Sequence, residues 1–378
     1  MNLLDDKQLI ENLDQSNQLS WIQNWGLMFN QGFDTGSSFK IPKKIHIGKK
    51  GLSLDYSQKF SSIVVFGMGG SAISGDYLSS LLFRQENFQT PIHVIRGYHI
   101  PKWVSTSTLV IAVSYSGNTR ETLTCLHSAL QVNSSPILVS SGGVIKEVAE
   151  KYSIPWIKLP EGLQPRAAFP VIFGSIFGLF DNLFPKLSLS TQMKNVGNVI
   201  NDIISQFGPN RPYDKNLAKQ LATKLQNKIP IIISSELALI TRWKCQFNEN
   251  SKMVAYMDVF PELMHNTIQG WEHENLTFLE FIVIKLGTDS NEIVDKVKFC
   301  LNIANDKIHK TIQFLEFNNG NSLENLMAAT LFGDLLSLYL AFLQSLDPSK
   351  IRLIVEMKKE FEPILQKNFD VKSNLLDL

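Results

Sequence analysis

Short apolar runs alternate with helical segments along the first half of the chain. Turns rich in glycine or serine follow several of these runs, and helical segments such as Ile73–Phe83 and Arg120–Gln131 come next. Continuous apolar strands alternating with helices are typical of a parallel sheet covered on both faces. Residues 1–60 before them predict a helical lead-in with a loop. The runs that predict strands are Ser61–Phe66, Ile92–Ile95, Thr108–Val113, Pro136–Val139 and Pro155–Leu159.

The second half repeats this pattern after a polar segment at 187–215 that is rich in Asn and Ser. It predicts strands at Ile229–Ile233, Thr277–Ile284 and Thr311–Glu316, followed by a long apolar helix at Leu323–Leu343. We therefore predict an α/β protein with two domains, each a parallel sheet between layers of helices. The expected bounds are 1–190 and 191–378, with a C-terminal helix at the end of the second domain.

Composition narrows the function classes. The chain has 378 residues, of which 44% are apolar and 19% charged, so it can bury two cores and is not disordered. Its net charge of +1 gives no global field that would favour nucleic acid or an anionic membrane, and we expect neither partner. An anionic small substrate would have to be held by local groups.

Cysteine usage and the N-terminus indicate the compartment. Cys125, Cys245 and Cys300 are far apart and lack a CxxC spacing, which argues against a disulfide framework and against a thiolate zinc site. The first residues are acidic and amphipathic, without the basic start and apolar run of a signal peptide. Since no stretch has about 18 consecutive apolar residues, we expect a cytoplasmic protein.

Two turns at predicted strand ends carry groups that suit an anion. In an open parallel sheet, ligands bind beyond the carboxyl ends of the strands. The first turn contains Gly70 and Ser71 at a helix start, and the second contains Ser114, Ser116 and Thr119. Backbone amides at a helix N-terminus and hydroxyl donors suit a phosphate monoester. The alternative is that Ser116 or Thr119 only caps its own helix.

Neither a nucleotide nor a metal is favoured by the motifs. Gly67 and Gly69 with Ala72 match part of a dinucleotide fingerprint, but the next strand ends in Ile95-Arg96 without the acidic residue that the pattern needs. Glu262 and His265 are three positions apart, yet no second pair of matching spacing accompanies them. We expect no cofactor and no metal, and a nucleotide-dependent oxidoreductase stays a minor alternative.

Five motifs in order resemble those of the bifunctional phosphoglucose/phosphomannose isomerase family, whose members are built from two sugar isomerase (SIS) domains. The departures are Ser74 and Arg120, where Gly and Glu are usual, and the Phe169-Pro170 pair after the third motif. The first three motifs are Phe66–Ile73 with Gly75-Asp76, Ser114–Thr119 with Glu121–Leu123, and Pro165–Ala167. The fourth motif consists of Asn248–Asn250, Lys252, Pro261-Glu262, His265-Asn266 and Gly270. The fifth motif is Asp347-Pro348 leading into Met357-Lys358.

The resemblance implies roles for these residues. It implies that the phosphate is held by Gly70, Ser71, Ser114, Ser116 and Thr119. It further implies that Arg166 faces an enediolate, that Glu249 is the proton-shuttling base, and that His265 and Lys358 assist ring opening. Lys359 adjoins Lys358 and competes for that assignment. In the family the histidine comes from the neighbouring subunit, which implies a homodimer with shared active sites.

The expected reaction interconverts glucose 6-phosphate, and mannose 6-phosphate, with fructose 6-phosphate through a cis-enediolate. One carboxylate can act as base and then as acid if burial moves its pKa toward neutrality. Aromatic and apolar neighbours in the sequence predict such surroundings for Glu249: Trp243, Phe247, Met253 and Tyr256. The competing hypothesis is a non-catalytic SIS regulator that binds sugar phosphate with the same turns and has no need of Glu249.

Overall fold

The structure, a computed structural model, describes residues 2–47, 51–272, 276–306, 312–368 and 370–378. It divides into two compact units, each named here after its main sheet. The five-stranded unit consists of Leu27–Ser190 and Ile351–Leu378, and the four-stranded unit consists of Met1–Gly26 and Thr191–Lys350. One break between the units falls between Ser190 and Thr191, whereas Met1–Gly26 and Ile351–Leu378 each belong to the unit formed by the other half of the chain, so the linear domains 1–190 and 191–378 stay a prediction.

Specific contacts explain this exchange of the termini. In the four-stranded unit, the Nζ of the fully buried Lys219 donates to the Asp5 carboxylate at 2.8 Å. In the five-stranded unit, the Tyr152 hydroxyl donates to the Leu376 carbonyl at 2.6 Å and accepts from the Leu378 amide at 3.1 Å. Sequence patterns predict elements, and they carry no signal for these long-range pairs.

All strands of the five-stranded sheet run parallel, in the order β4-β3-β5-β6-β7. The three middle strands are buried along their whole length, which accounts for their uninterrupted apolar sequences. The predicted parallel sheet is therefore confirmed, with strand ends shifted by no more than one residue. The strands are β3 (Ser62–Phe66), β4 (Ile92–Ile95), β5 (Thr108–Val113), β6 (Ser135–Ser140) and β7 (Trp156–Lys158).

Helices and one hairpin complete this unit. The predicted helix Arg120–Gln131 is observed at those bounds, and α4 begins at Gly69, four residues before the predicted start. The antiparallel hairpin of β1 (Lys44–Ile47) and β2 (Leu52–Asp55) was missed, although its side chains alternate between buried and exposed. The helices are α3 (Trp25–Ser37), which begins in the other unit, α4 (Gly69–Phe83), α5 (Arg120–Gln131), α6 (Gly143–Tyr152), α7 (Phe169–Leu183), α13 (Arg352–Asn368) and α14 (Val371–Leu376).

Helices α3 and α7 approach each other along a seam of glycines. A Cβ added at Gly36 would lie 2.1 Å from the Ser175 carbonyl oxygen, and one at Gly178 would lie 2.1 Å from the Phe33 carbonyl oxygen. Pro170 falls in the first turn of α7, where a missing amide costs no helical hydrogen bond. The Phe169-Pro170 departure is thereby accommodated at a helix start.

The four-stranded sheet is also parallel throughout, in the order β11-β10-β8-β9. Edge strand β9 was not predicted, and the predicted residue Thr311 lies outside the described residues. The strands are β8 (Ile229–Ser234), β9 (Tyr256–Val259), β10 (Leu279–Leu286) and β11 (Gln313–Phe317). The helices are α1 (Lys7–Leu13), α2 (Gln18–Gln23), α8 (Val196–Phe207), α9 (Leu217–Leu225), α10 (Leu237–Asn250), α11 (Asn291–Asp306) and α12 (Ser322–Leu343).

Helices α8 and α12 of this unit differ in how much of their surface is buried. The polar segment predicted as a junction contains α8, which buries Val196, Val199, Ile200 and Ile203 on one face and leaves its polar residues on the other. The apolar α12 is long and hydrophobic enough to cross a membrane, but 94% of its most apolar window is buried inside the fold. Its composition is therefore explained by its position in the core.

Candidate functional site

The strand order of the five-stranded sheet creates a crevice at the carboxyl ends of β3 and β5. The chain passes from β3 through α4 to β4 on one side, and β5 pairs with β3 on the other side. Such a switch in direction leaves the loops after the two central strands without a helix packed between them, and ligands bind there. Both glycine- and serine-rich turns of the sequence lie at these strand ends.

The turn after β5 is built around hydroxyl contacts. The Oγ of Ser114 lies 2.8 Å from the Oγ1 of Thr119 and accepts a hydrogen bond from the Thr119 amide at 3.3 Å. Thr119 occupies the N-cap position of α5, but its side chain accepts no hydrogen bond from the backbone amides of the first helical turn. The helix-capping alternative is therefore wrong for Thr119. The Oγ of the exposed Ser116 accepts from the Asn118 amide at 3.3 Å.

Gly117 makes the shape of this turn possible. Its φ of +71° lies in the left-handed region, and a Cβ there would lie 1.7 Å from the Gly142 carbonyl oxygen. The Asn118 side chain accepts from the Val144 amide at 3.0 Å, which ties the turn to the start of α6. The donors of the turn are thus held in place before any ligand arrives.

The turn after β3 joins the same crevice and brings Arg166 with it. The buried Ser71 accepts a hydrogen bond on its Oγ from the Tyr115 amide at 3.2 Å. Gly70 packs directly against the segment after β7, because a Cβ there would lie 2.9 Å from the Pro165 carbonyl oxygen and 3.2 Å from the Cα of Arg166. The side chain of Arg166 is 4% exposed. The structure therefore places the residues predicted to bind phosphate and the arginine predicted to face the enediolate in the same unit.

Sequence reasoning missed Tyr115 as a member of this site. Its hydroxyl donates to the Pro160 carbonyl at 2.8 Å and accepts from the Leu163 amide at 2.7 Å. Burial raises the pKa of the Tyr115 hydroxyl, although the hydrogen bond from the Leu163 amide opposes the shift. The available signal was a bulky aromatic residue between Ser114 and Ser116, in a turn that otherwise consists of small polar residues.

Glu249 belongs to the four-stranded unit, in the last turn of α10. It is half-buried. Of the residues expected to make its surroundings apolar, Trp243 and Phe247 are buried, whereas Tyr256 is 56% exposed on β9. The Nζ of Lys252 donates to the Glu249 carbonyl at 2.7 Å and to the Pro348 carbonyl at 3.1 Å. A lysine at a helix C-terminus satisfies carbonyls that lack helical partners, so Lys252 fixes the backbone that carries Glu249.

His265 is exposed at the end of the 3-10 turn Glu262–His265 in the same unit. Leu263 anchors this turn in a buried cluster with Trp271 and Phe281. The Glu262 carboxylate accepts from the Asn266 side chain at 2.8 Å. Within the described ranges, no group of three or more His, Cys, Asp or Glu side chains has the arrangement of a metal site.

Lys358 and Lys359 are both exposed on α13, in the five-stranded unit. The helix exposes apolar side chains as well, with Met357 at 52% and Phe361 at 55%. Because both lysines are exposed, exposure does not decide between them, and the choice of Lys358 as the active-site lysine stays a prediction.

Comparisons with known proteins find one family model and several relatives that match this chain. Residues 214–361 match the family model described as the bacterial phospho-glucose isomerase C-terminal SIS domain. A bifunctional phosphoglucose/phosphomannose isomerase from Caldicellulosiruptor bescii is 36% identical over 333 residues, covering 86% of this chain and 95% of that protein. One of the same name from Aquifex aeolicus is 28% identical, covering 80% of this chain and 91% of that protein.

A solved structure shows the same fold at low sequence identity. The C-terminal domain of glucosamine-fructose-6-phosphate aminotransferase from Francisella tularensis superposes with a TM-score of 0.63 at 14% identity. The match covers 86% of this chain and 95% of that one. Together with the parallel sheets and the match to a SIS domain model, this confirms the predicted SIS-type α/β fold.

Proposed function

The chain belongs to the bifunctional phosphoglucose/phosphomannose isomerase family, and we propose on this basis that it interconverts glucose 6-phosphate and mannose 6-phosphate with fructose 6-phosphate. It is a sugar-phosphate isomerase, and its reaction is an aldose–ketose proton transfer. The observation that carries this conclusion is the 36% identity over 86% of the chain with a relative of that name.

The phosphoryl group is held by Gly70, Ser71, Ser114, Ser116 and Thr119. Hydroxyl donors and the amides at the start of α4 suit a dianionic monoester, and a helix N-terminus favours negative charge. Support comes from the hydrogen bonds that join Ser114 to Thr119 and Ser71 to the Tyr115 amide. Anchoring the phosphate holds the reacting carbons in place, so that binding energy is converted into rate.

Glu249 is the base that removes the proton beside the sugar carbonyl. It takes the proton from C2 of the open-chain aldose to give a cis-enediolate, and it returns a proton to C1 to give the ketose. His265 and Lys358 assist opening of the sugar ring. Arg166 stabilises the negative charge of the enediolate, because a guanidinium is most effective where charge develops in the transition state.

Two further parts of the proposal concern the assembly and the compartment. We propose a homodimer in which His265 serves the active site of the neighbouring subunit, supported by its exposure at the end of a well-anchored turn. We also propose that the enzyme acts in the cytoplasm. It binds sugar phosphate rather than nucleic acid or membrane. Its SIS domains are those expected at 1–190 and 191–378, except that the terminal segments Met1–Gly26 and Ile351–Leu378 each pack with the other unit.

A coupled assay on purified protein tests the activity. Glucose 6-phosphate and mannose 6-phosphate are each supplied as substrate, fructose 6-phosphate formation is measured, and the reverse direction is followed with fructose 6-phosphate. We expect turnover of both aldose phosphates. Saturable binding of fructose 6-phosphate without turnover of any of the three sugars would instead support the non-catalytic regulator. Saturable binding of NAD(P) would favour the oxidoreductase.

A further inference from the structure

Tyr115 stands between two residues of the phosphate turn, but its side chain is only 6% exposed. Ser114 and Ser116 on either side carry the hydroxyls assigned to the phosphate. Ser71 and Ser114 are as buried as Tyr115, so burial alone does not separate its side chain from a bound phosphate. The Tyr115 hydroxyl, however, donates to one backbone group and accepts from another in the segment after β7. Tyr115 therefore contributes to the site through the backbone groups to which it is hydrogen-bonded.

The backbone of Tyr115 is fixed on both sides. Its amide donates to the Ser71 Oγ at 3.2 Å, which joins the two phosphate turns. Its carbonyl oxygen accepts from the Ser141 amide at 2.8 Å and from the Ser141 Oγ at 2.7 Å. Three hydrogen bonds to its amide and carbonyl groups therefore hold the backbone of Tyr115 in place at the carboxyl ends of β5 and β6.

The side chain of Tyr115 is hydrogen-bonded to the segment before Arg166. Its hydroxyl donates to the Pro160 carbonyl at 2.8 Å and accepts from the Leu163 amide at 2.7 Å. The segment has no regular secondary structure between β7 and the turn at Pro165, and Gly162 within it has a φ of +88°. Since burial raises the pKa of Tyr115, the hydroxyl stays protonated at neutral pH and can both donate and accept.

We propose that Tyr115 is a positioning residue, whose hydroxyl sets the position of Arg166 relative to the two phosphate turns. Arg166 follows Leu163 by three residues, and its Cα lies beside Gly70, so a shift of the segment moves the guanidinium against the bound phosphate. The inference rests on the proposed function, because it assumes that Arg166 stabilises the enediolate. A displacement of about 1 Å at such a group is enough to slow catalysis strongly.

The test compares Tyr115→Phe with Tyr98→Phe. Tyr98 is 39% exposed and its hydroxyl donates to the Glu121 carboxylate at 3.1 Å, so its loss removes one hydroxyl without touching the segment before Arg166. We expect Tyr115→Phe to lower kcat about tenfold, equivalent to about 1.4 kcal/mol in the barrier, with KM unchanged within about twofold. Tyr98→Phe should leave both constants near those of the parent.

A double-variant cycle then separates positioning from a general loss of packing. In the Arg166→Gln background, Tyr115→Phe should cause no further fall in kcat, because the group through which it acts is gone. Equal fold-effects of Tyr115→Phe in both backgrounds would overturn the proposal. So would a rise in KM that matches the fall in kcat/KM, since that would assign Tyr115 to phosphate binding.

Two measurements keep the test decisive if Tyr115→Phe folds poorly or the parent is inactive. Gly162→Ala strains the same segment at a position where a Cβ meets nothing within 4 Å, and it should also lower kcat at constant KM. Hydrogen exchange in the absence of sugar should be faster at the Leu163 amide in Tyr115→Phe than in the parent. Unchanged exchange there would overturn the positioning role, whereas a parent without turnover would count against the proposed function alone.

Discussion

The two sheets of this protein have the same topology but different chemistry at the equivalent crevice. The order β4-β3-β5-β6 in one corresponds to β9-β8-β10-β11 in the other, with all neighbours parallel. Each sheet therefore reverses its direction of winding once, between β3 and β5 and between β8 and β10. By the rule for open α/β sheets, both places are positioned to bind a ligand.

Side chains distinguish the two crevices. Glycine or hydroxyl residues follow the two middle strands of both sheets, but after β8 and β10 the chain adds two carboxylates, Glu236 and Asp289, which have no counterpart in the turns after β3 and β5. Glu236 caps α10 by accepting from the Ala238 amide at 3.4 Å, and Asp289 accepts from the Ser235 hydroxyl and the Leu286 amide. Carboxylates at this position repel a phosphate and satisfy the amides that would bind it. A repeated fold therefore does not imply a repeated binding site.

The largest effect that tests this comparison is expected from Glu249→Gln. If Glu249 is the base, kcat should fall about 10²- to 10⁴-fold, the usual contribution of general acid–base catalysis. Binding of fructose 6-phosphate, measured by calorimetry, should stay within about twofold of the parent. A Glu249→Gln variant with parental turnover would remove Glu249 as the base.

A smaller effect, on binding, is expected from the Ser116→Ala/Thr119→Ala pair. Two hydrogen bonds to a charged group are lost, each worth about 1.5 kcal/mol at the low end of the usual range, so the KM for glucose 6-phosphate should rise about 10²-fold. Ser235→Ala removes a hydroxyl from the equivalent crevice of the other sheet and should leave KM unchanged. An unchanged KM in the double variant would mean that the phosphate binds elsewhere.

The smallest effect is expected from Asp289→Asn, in the crevice of the four-stranded sheet. Amide and carboxylate have nearly the same shape, and the Asn Oδ1 can still accept one hydrogen bond, so the free energy of unfolding should fall by about 1 kcal/mol or less. Steady-state kinetics should show KM for both aldose phosphates within about twofold of the parent. A tenfold change in KM would show that this second crevice takes part in substrate binding.

Much of the fold followed from local patterns, and the exceptions share a cause. Eight apolar runs became strands, and the signal was clearest for β3, β5 and β6, because a strand buried on both faces has to be apolar along its length. The hairpin β1–β2, edge strand β9 and helix α8 were missed, since each is short or half-exposed and its apolar residues are diluted by polar ones. Thr119 was open between a capping and a binding role because both use the same residue at the same place.

The amino-acid sequence alone determined the alternation of strands and helices, the glycine and hydroxyl turns, and the ordered motifs that identify the family, because each of these is written in neighbouring residues. Tertiary structure alone decided which terminus packs with which unit and that Thr119 contacts Ser114 instead of capping α5. It also decided that Tyr115 connects the turns after β3 and β5 to the segment before Arg166. These features join residues far apart in the chain or choose between partners of equal chemistry. Such choices are made by packing, which no local pattern encodes.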